Sequence, residues 1–314
     1  MERNAMRVLV GIDGSAAADV AVGLVSRIEW PPETEVVVVE AFEPSSGLLS
    51  APWAELALIE AEGLEDQIKA EAERNLANVQ RQLERPGLTV RTEVLCGRPS
   101  TAIVERARTL PADVIVLGSR GHGTIGSMLL GSVSAEVVDH APAPVLVARG
   151  TKFGRVLLAW DGSACAAQAA DLLGSWPIFA GRSVNVVSVD DLGNAWWTGF
   201  PEPGAAETSS MYRLSSDAAR STHDRLAHQK ADELRTGGLD AEAEHRDGDA
   251  ATQLIAAATA HRSDVILMGT HGRTGLARLV IGSVARNVLH HAPCSVLVVR
   301  EQKAANTHKT GQPG

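Results

Sequence analysis

Gly118-Ser119-Arg120-Gly121, followed after nine residues by Gly131-Ser132, returns as Gly269-Thr270-His271-Gly272 and, nine residues on, Gly282-Ser283. In each copy an apolar run ends at the first glycine: Val114-Ile115-Val116-Leu117, then Val265-Ile266-Leu267-Met268. Apolar runs without polar alternation predict strands buried on both faces, so the glycines mark where a parallel sheet passes its chain to a loop. A glycine has no Cβ to hold an anion away from backbone N–H groups. Gly-Ser ahead of an apolar periodic segment also predicts a helix start, whose N-terminus attracts negative charge. The pattern reads as a phosphate-binding loop, present twice.

The duplication extends outward from the loops. Residues 112–149 and 263–300 align without a gap and agree at roughly 16 of 38 positions, which marks an internal repeat. The opening Val8-Leu9-Val10-Gly11-Ile12-Asp13-Gly14-Ser15 recurs as Val156-Leu157-Leu158-Ala159-Trp160-Asp161-Gly162-Ser163. In the first half, strands are predicted at 7–13, 35–42, 89–96, 113–119 and 143–149, and helices at 15–28, 55–84, 100–110 and 132–140. The second half repeats the plan, with strands at 155–161, 183–190, 240–245, 264–270 and 295–300. Its third strand, Ala241-Glu242-Ala243-Glu244-His245, alternates small apolar with polar residues and is expected at a sheet edge. The fold class is therefore α/β: two repeated, doubly wound domains, each a five-stranded parallel sheet of order 3-2-1-4-5 with about four helices and right-handed crossovers. The domains are placed at 1–150 and 151–302, joined near 150–154, and 303–314 reads as a disordered tail.

After its second strand each half carries a longer excursion, 43–54 and 190–207. The second holds Trp196, Trp197 and Phe200 among prolines. Such aromatics suit a lid or an interface, and equally a loop folded onto its own domain.

Composition narrows the function. The formal net charge of −9 argues against sequence-independent nucleic-acid binding, which needs a basic face. Three cysteines without CxxC spacing suggest neither a disulfide framework nor a zinc site. No run has the length of a membrane span and no leader precedes the first strand, so a cytoplasmic setting without membrane contact is expected.

In an open parallel sheet ligands bind beyond the carboxyl ends of the strands, where the strand order reverses. With the first and fourth strands flanking that reversal, Asp13 stands opposite Gly118, and Asp161 opposite Gly269. A polyphosphate on the glycine loop would place its nucleoside near the ends of the first two strands, beside Asp13 and the backbone of Ala41, or Asp161 and Val189. An alternative reading of Asp13 and Asp161 is helix capping, although Ser15 and Ser163 are better placed for it. Ser132 and Ser283 are expected to cap the fourth helix of each half. Arg120, His271 and Arg273 offer positive charge to phosphates, or are simply solvated.

Several patterns are set aside. Gly121-His122-Gly123-Thr124-Ile125-Gly126 matches GxGxxG but follows the wrong strand, and the second half has Thr274 where glycine is needed. No Gly-Lys-Ser/Thr completes a Walker loop. The histidines show no convincing metal-ligand spacing. Trp160 alternates away from Asp161 and is expected in the core.

The repeated glycine pattern, with Gly-Ile-Asp13-Gly-Ser and Ala-Trp-Asp161-Gly-Ser, resembles the universal stress protein family, in its ATP-binding branch and a tandem two-domain form. The resemblance spans nearly the whole chain apart from the tail. It implies ATP as ligand, as the Mg²⁺ complex, with Gly118, Gly121, Gly131 and Ser132 holding triphosphate and ribose and Asp13 beside nucleoside and metal. It implies the same for Gly269, Gly272, Gly282, Ser283 and Asp161. Flanking residues complete the candidate set: Gly11, Ser119, His122 and Val133 in the first half; Ala159, Thr270 and Val284 in the second. Where the first half has Gly11-Ile12, the second has Ala159-Trp160, so a methyl replaces hydrogen beside the expected nucleoside.

The resemblance also implies pairing through the strands at 143–149 and 295–300, first between the halves and then as a homodimer. A regulatory, stress-response role with an unidentified protein partner is expected, and no catalysis. The alternatives are a slow ATPase or nucleotidyl-transfer enzyme, for which no acid, base or charge clamp is evident, and a dimerising scaffold that binds no nucleotide.

Overall fold

The computed structural model describes residues 5–43, 54–120, 130–190, 205–272 and 281–300, with side chains of the two long helices described from 65 and 221 onward. The first half runs β1 (Arg7–Ile12), α1 (Ala16–Arg27), β2 (Thr34–Phe42), α2 (Ala54–Leu83), β3 (Leu88–Cys96), α3 (Pro99–Thr109), β4 (Val114–Gly118), α4 (Ser132–His140) and β5 (Val145–Ala148). The second runs β6 (Arg155–Ala159), α5 (Ala164–Ser175), β7 (Ser183–Asp190), α6 (Ala205–Thr236), β8 (Asp240–Asp247), α7 (Ala250–Ala260), β9 (Val265–Gly269), α8 (Ser283–His291) and β10 (Ser295–Val299). The expected aromatic excursions, apart from their outermost residues, and the expected tail lie outside the described residues.

The apolar runs became strands because helices cover both faces of the sheet. One apolar cluster joins Val8, Val10 and Val156 to α1, α2, α5 and α6. The other joins Leu9, Ile115 and Ile266 to α3, α4, α7 and α8. Each cluster runs across both halves, so the molecule has three layers and two cores. The three cysteines are free; Cys165 and Cys294 are buried, and burial pushes the Cys294 thiol up to about 12.

Between β1 and α1 the chain turns at Gly14, and between β6 and α5 at Gly162, with φ of +73° and +74°. These left-handed values favour glycine, which carries no Cβ to clash there. The next residue caps the helix: Ser15 accepts from the Ala18 N–H and Ser163 from the Ala166 N–H. Ser132 and Ser283 do not cap. Gly131 and Gly282 occupy the cap in extended conformation, and the serines are the first helical residues. The glycine carbonyls already accept from Ala135 and Arg286, so the helix is entered one residue earlier than the Gly-Ser pattern suggests.

Strand order is β3-β2-β1-β4-β5-β10-β9-β6-β7-β8 in a single ten-stranded sheet. Each half has the expected 3-2-1-4-5 order with parallel neighbours, and β8, like β3, lies at an edge. The halves do not keep separate sheets, because β5 and β10 pair antiparallel with Leu146 opposite Leu297. β5 is buried along its whole length, and β10 supplies the backbone partners that its open edge lacked.

The halves also clasp through their last arginines. Arg149, just after β5, donates to the carbonyls of Leu289 and His290 at the end of α8. Arg300, just after β10, donates to those of Val138 and Asp139 near the end of α4. A cation at a helix C-terminus satisfies orphan carbonyls and complements the dipole. Arg149→Ala is expected to lower the unfolding free energy by about 1–3 kcal/mol, as loss of charge-assisted bonds does; guanidinium denaturation measures it.

The outer edges are charged. On β3, Glu93 accepts two bonds from Arg106 at 2.5 and 2.7 Å, and the guanidinium holds its carboxyl below the usual 4.5 despite some burial. A lowered folded value stabilises above the unfolded pKa, and that contribution disappears as pH falls through the lowered value. Glu93→Gln should therefore be less stable than the parent at neutral pH, by up to about 1 kcal/mol for so exposed a pair. The difference should vanish in stability curves taken at acid pH.

Candidate functional site

Register places the predicted walls side by side. Gly11 pairs with Leu117 on β1 and β4, and Leu158 with Leu267 on β6 and β9, so Asp13 and Asp161 emerge next to Gly118 and Gly269. In both halves the aspartate first shapes its own turn, Oδ1 accepting from the Ser15 N–H at 3.0 Å and from the Ser163 N–H at 2.9 Å. The capping serine then reaches across the crevice. Ser15 Oγ donates to the Arg120 carbonyl at 3.3 Å, and Ser163 Oγ to the His271 carbonyl at 3.4 Å. The turn after the first strand and the loop after the fourth are thus tied in each half.

The loop is closed at its base as well. The Gly131 N–H donates to the Ser119 carbonyl and the Gly282 N–H to the Thr270 carbonyl, both at 2.8 Å. The glycines therefore frame a loop whose two ends are held together ahead of a helix N-terminus, an arrangement suited to anions. Gly121, His122 and Arg273 lie outside the described residues.

The glycines have different reasons to be glycine. A Cβ on Gly118 would lie 2.5 Å from the Ala17 carbonyl oxygen, and one on Gly269 would lie 2.5 Å from Cys165 Cβ and 2.8 Å from its carbonyl carbon. The first glycine of each motif is required by the first turn of α1 or α5 packed on the strand end. Gly272 is different: a Cβ there would lie 2.8 Å from Asp161 Oδ2, so the loop passes directly against the carboxylate. Gly11 is closely packed as well. The room above it is taken by the Leu117 and Ile103 side chains, at 2.5 and 3.1 Å from where its Cβ would be.

In the second half these walls enclose a cavity of about 230 Å³. It is lined by Ala159, Asp161, Val189, Gly269, Thr270, His271, Gly272, Gly282, Ser283 and Val284, which are the predicted residues of that half other than Arg273. Ala159 borders the cavity beside Met268 and Leu254, which take the places of Leu117 and Ile103, so the Ala-for-Gly change is part of a repacked floor. The cavity is apolar toward β6, β7 and α7 and polar along the loop, which matches a ligand with a flat apolar end and a charged end. Trp160 sits in the core as expected, with Lys230 4.5 Å above its ring, and also borders the cavity.

Sequence reading missed Ser163, Ala166, Val187, Ala250, Leu254, Met268 and Ala285 as lining residues. Val187 was within reach, since it lies two residues before Val189 on the same strand and shares its face. Ala250 and Leu254 required knowing that the first turn of α7 rises beside the crevice. Ala41 and Val189 occupy equivalent positions on β2 and β7, paired with Leu95 and Arg246.

Positive charge gathers near the exit of the first loop. Burial pushes the Arg149 guanidinium down from its usual value, and the Arg120 charge adds to this. Burial also lowers the His290 imidazole, with the His291, Arg149 and Arg286 charges adding to the shift. The Leu130 N–H donates to His290 Nδ1 at 3.4 Å, and the Ile281 N–H donates to Asp139 Oδ1 at 3.3 Å. Each loop exit is therefore anchored on the last helix of the opposite half.

A doubly wound α/β unit of order 3-2-1-4-5, written twice in one chain with a glycine-framed crevice at each switch point, defines a tandem Rossmann-like protein. The chain belongs to the Universal stress protein family, whose family model matches residues 4–149 and 152–300. A universal stress protein of Thermus aquaticus is 36% identical over 142 residues, 45% of this chain and 97% of its own. One from Mycolicibacterium smegmatis is 26% identical over 308 residues, covering 93% of this chain and 96% of its own. The crystal structure of a universal stress protein from Archaeoglobus fulgidus shares the fold, with a TM-score of 0.67 at 18% identity, covering 96% of this chain and all of that one. Among the described residues no helix is long and apolar enough to cross a membrane.

The packing role of the first glycines leads to a direct expectation. Gly118→Ala and Gly269→Ala should each destabilise the protein by about 1–3 kcal/mol through overpacking, measured by denaturant unfolding with no nucleotide added. Gly272→Ala, which meets only a carboxylate oxygen, should leave stability nearer the parent value.

Proposed function

We propose that the chain binds ATP in the crevices at the ends of β1/β4 and β6/β9 and uses it as a conformational or partner-selecting ligand. The observation that carries this reading is the close approach of Gly272 to Asp161, with Oδ2 2.8 Å from where a Cβ would lie. It brings loop and carboxylate together at the polar end of a cavity whose other end is apolar. In this reading the framed loop and the N-termini of α4 and α8 hold the phosphates, Ser132 and Ser283 turn their hydroxyls toward them, and the base lies over Ala159, Val187 and Val189. A carboxylate beside polyphosphate is repulsive unless a cation intervenes, so Mg²⁺ accompanies the nucleotide near Asp13 and Asp161. When bound, it neutralises phosphate charge.

The same reading makes the protein a binder rather than an enzyme. Among the described residues Asp13 and Asp161 are the only carboxylates repeated at the two sites, and each is engaged by its own turn. The regulatory partner is a protein, and the setting is cytoplasmic. Further homodimerisation would need a surface other than β5 and β10, whose edges are both occupied within the chain.

An ATP titration by calorimetry, with nucleotide counted per chain, tests the proposal. Two ATP per chain are expected, and Asp161→Ala should weaken the second-half site by about 10- to 100-fold, as loss of a charge-assisted contact does. Phosphate release should stay at background. Absence of ATP binding would overturn the reading, and turnover abolished by Asp161→Ala would convert the protein into an ATPase.

A further inference from the structure

We propose a second ligand site, independent of the nucleotide crevice: a divalent transition-metal cation of the Zn²⁺ or Co²⁺ class held by Asp190, His245 and Asp247 at the outer edge of the second half. Asp190 ends β7, and His245 and Asp247 are two residues apart near the end of β8. Ser188 pairs with His245 and Asp190 with Asp247, so all three ligands share one face of two neighbouring strands. That face is opposite the one where Val187 and Val189 line the cavity, because successive strand residues alternate. One donor atom from each ligand lies within 4.8 Å of the other two.

The geometry is closer to coordination than to hydrogen bonding. His245 Nε2 lies 3.6 Å from Asp247 Oδ1, beyond hydrogen-bond reach. Two donors about 2.1 Å from one tetrahedral cation sit roughly 3.4 Å apart. His245 Nε2 is buried and has no hydrogen-bond partner among the described residues. Asp190 is itself 6% exposed. One imidazole and two carboxylates form a donor set suited to Zn²⁺, with a fourth position for water. A second imidazole stands nearby: the His223 ring of α6 lies 6.4 Å from that of His245, and its Nδ1 is 2.9 Å from Ser188 Oγ.

The repeat shows that the fold does not demand this cluster. At the matching positions of the first half stand Phe42, Val94 and Cys96, with Phe42 paired to Cys96 as Asp190 is to Asp247. On α2, Asn75 donates to Glu40, which holds the strand position of Ser188. The second half thus carries three donors where the first has Phe42, Val94 and Cys96. A cation there would tie the outermost strand to its neighbour beneath α6.

The test is a Co²⁺ titration of the full, untagged chain after chelator dialysis, without nucleotide, read by visible absorption and metal content. One Co²⁺ per chain, displaced by Zn²⁺, is expected. His245→Ala and Asp247→Asn should each weaken binding beyond the roughly 10- to 100-fold that outer-shell partners cost. Asp247 is half exposed, so its amide variant should fold, which circular dichroism verifies. No saturable binding below millimolar Co²⁺, or a metal count unchanged in both variants, would overturn the proposal.

Discussion

A helix and a strand end meet in this protein with no space for a single methyl group between them. Where α1 begins, the Ala17 carbonyl oxygen lies 2.5 Å from the point a Gly118 Cβ would occupy, and Cys165 crowds Gly269 in the same way. That contact fixes the height at which α1 and α5 sit on the sheet. It thereby fixes the Asp-Gly-Ser turn, and the turn fixes the serine that ties the loop across the crevice. The crevice is a consequence of the contact, so the glycine signature has a packing cause before it has any ligand. Gly272, pressed against the Asp161 carboxylate, is the motif glycine whose constraint comes from the crevice itself.

The two halves act as controls for each other. Both keep the turn, the serine bridge and the closed loop base, which identifies these as requirements of the shared architecture. They differ in what fills the crevice floor, Leu117 and Ile103 over Gly11 against Met268 and Leu254 beside Ala159, and in the outer corner of the sheet on its opposite face. Both differences lie toward the carboxyl ends of the strands, where ligands bind in this class of fold.

Much of this was legible in the chain before any coordinates. Buried parallel strands announce themselves as unbroken apolar runs, and a repeat with conserved glycine spacing reveals both the loop and the order of the strands around it. What escaped was set by packing between distant segments. The filling of the space above Gly11 depends on an α3 side chain about ninety residues away, and the capping of α4 by Gly131 rather than Ser132 depends on how the loop base closes. Likewise, no spacing rule could bring Asp190 to His245, because their proximity exists only through the register of β7 on β8. The fusion of two sheets into one was available only through the family resemblance, since a buried fifth strand reads the same whether or not its far edge is paired.

The pairing of β5 with β10 has a bearing on the history of such chains. The outer strands β3 and β8 carry ion pairs that discourage sticking, whereas β5 is wholly apolar, β10 is apolar apart from Ser295, and the two are defended by nothing except each other. A gene encoding either half alone would produce a molecule obliged to find a mate, and joining the two halves through a few residues near position 150 turned that search into an intramolecular certainty. Once the mate was guaranteed, each half was released from having to match a copy of itself. The crevice floor and the sheet corner are two places where the halves use that freedom and differ.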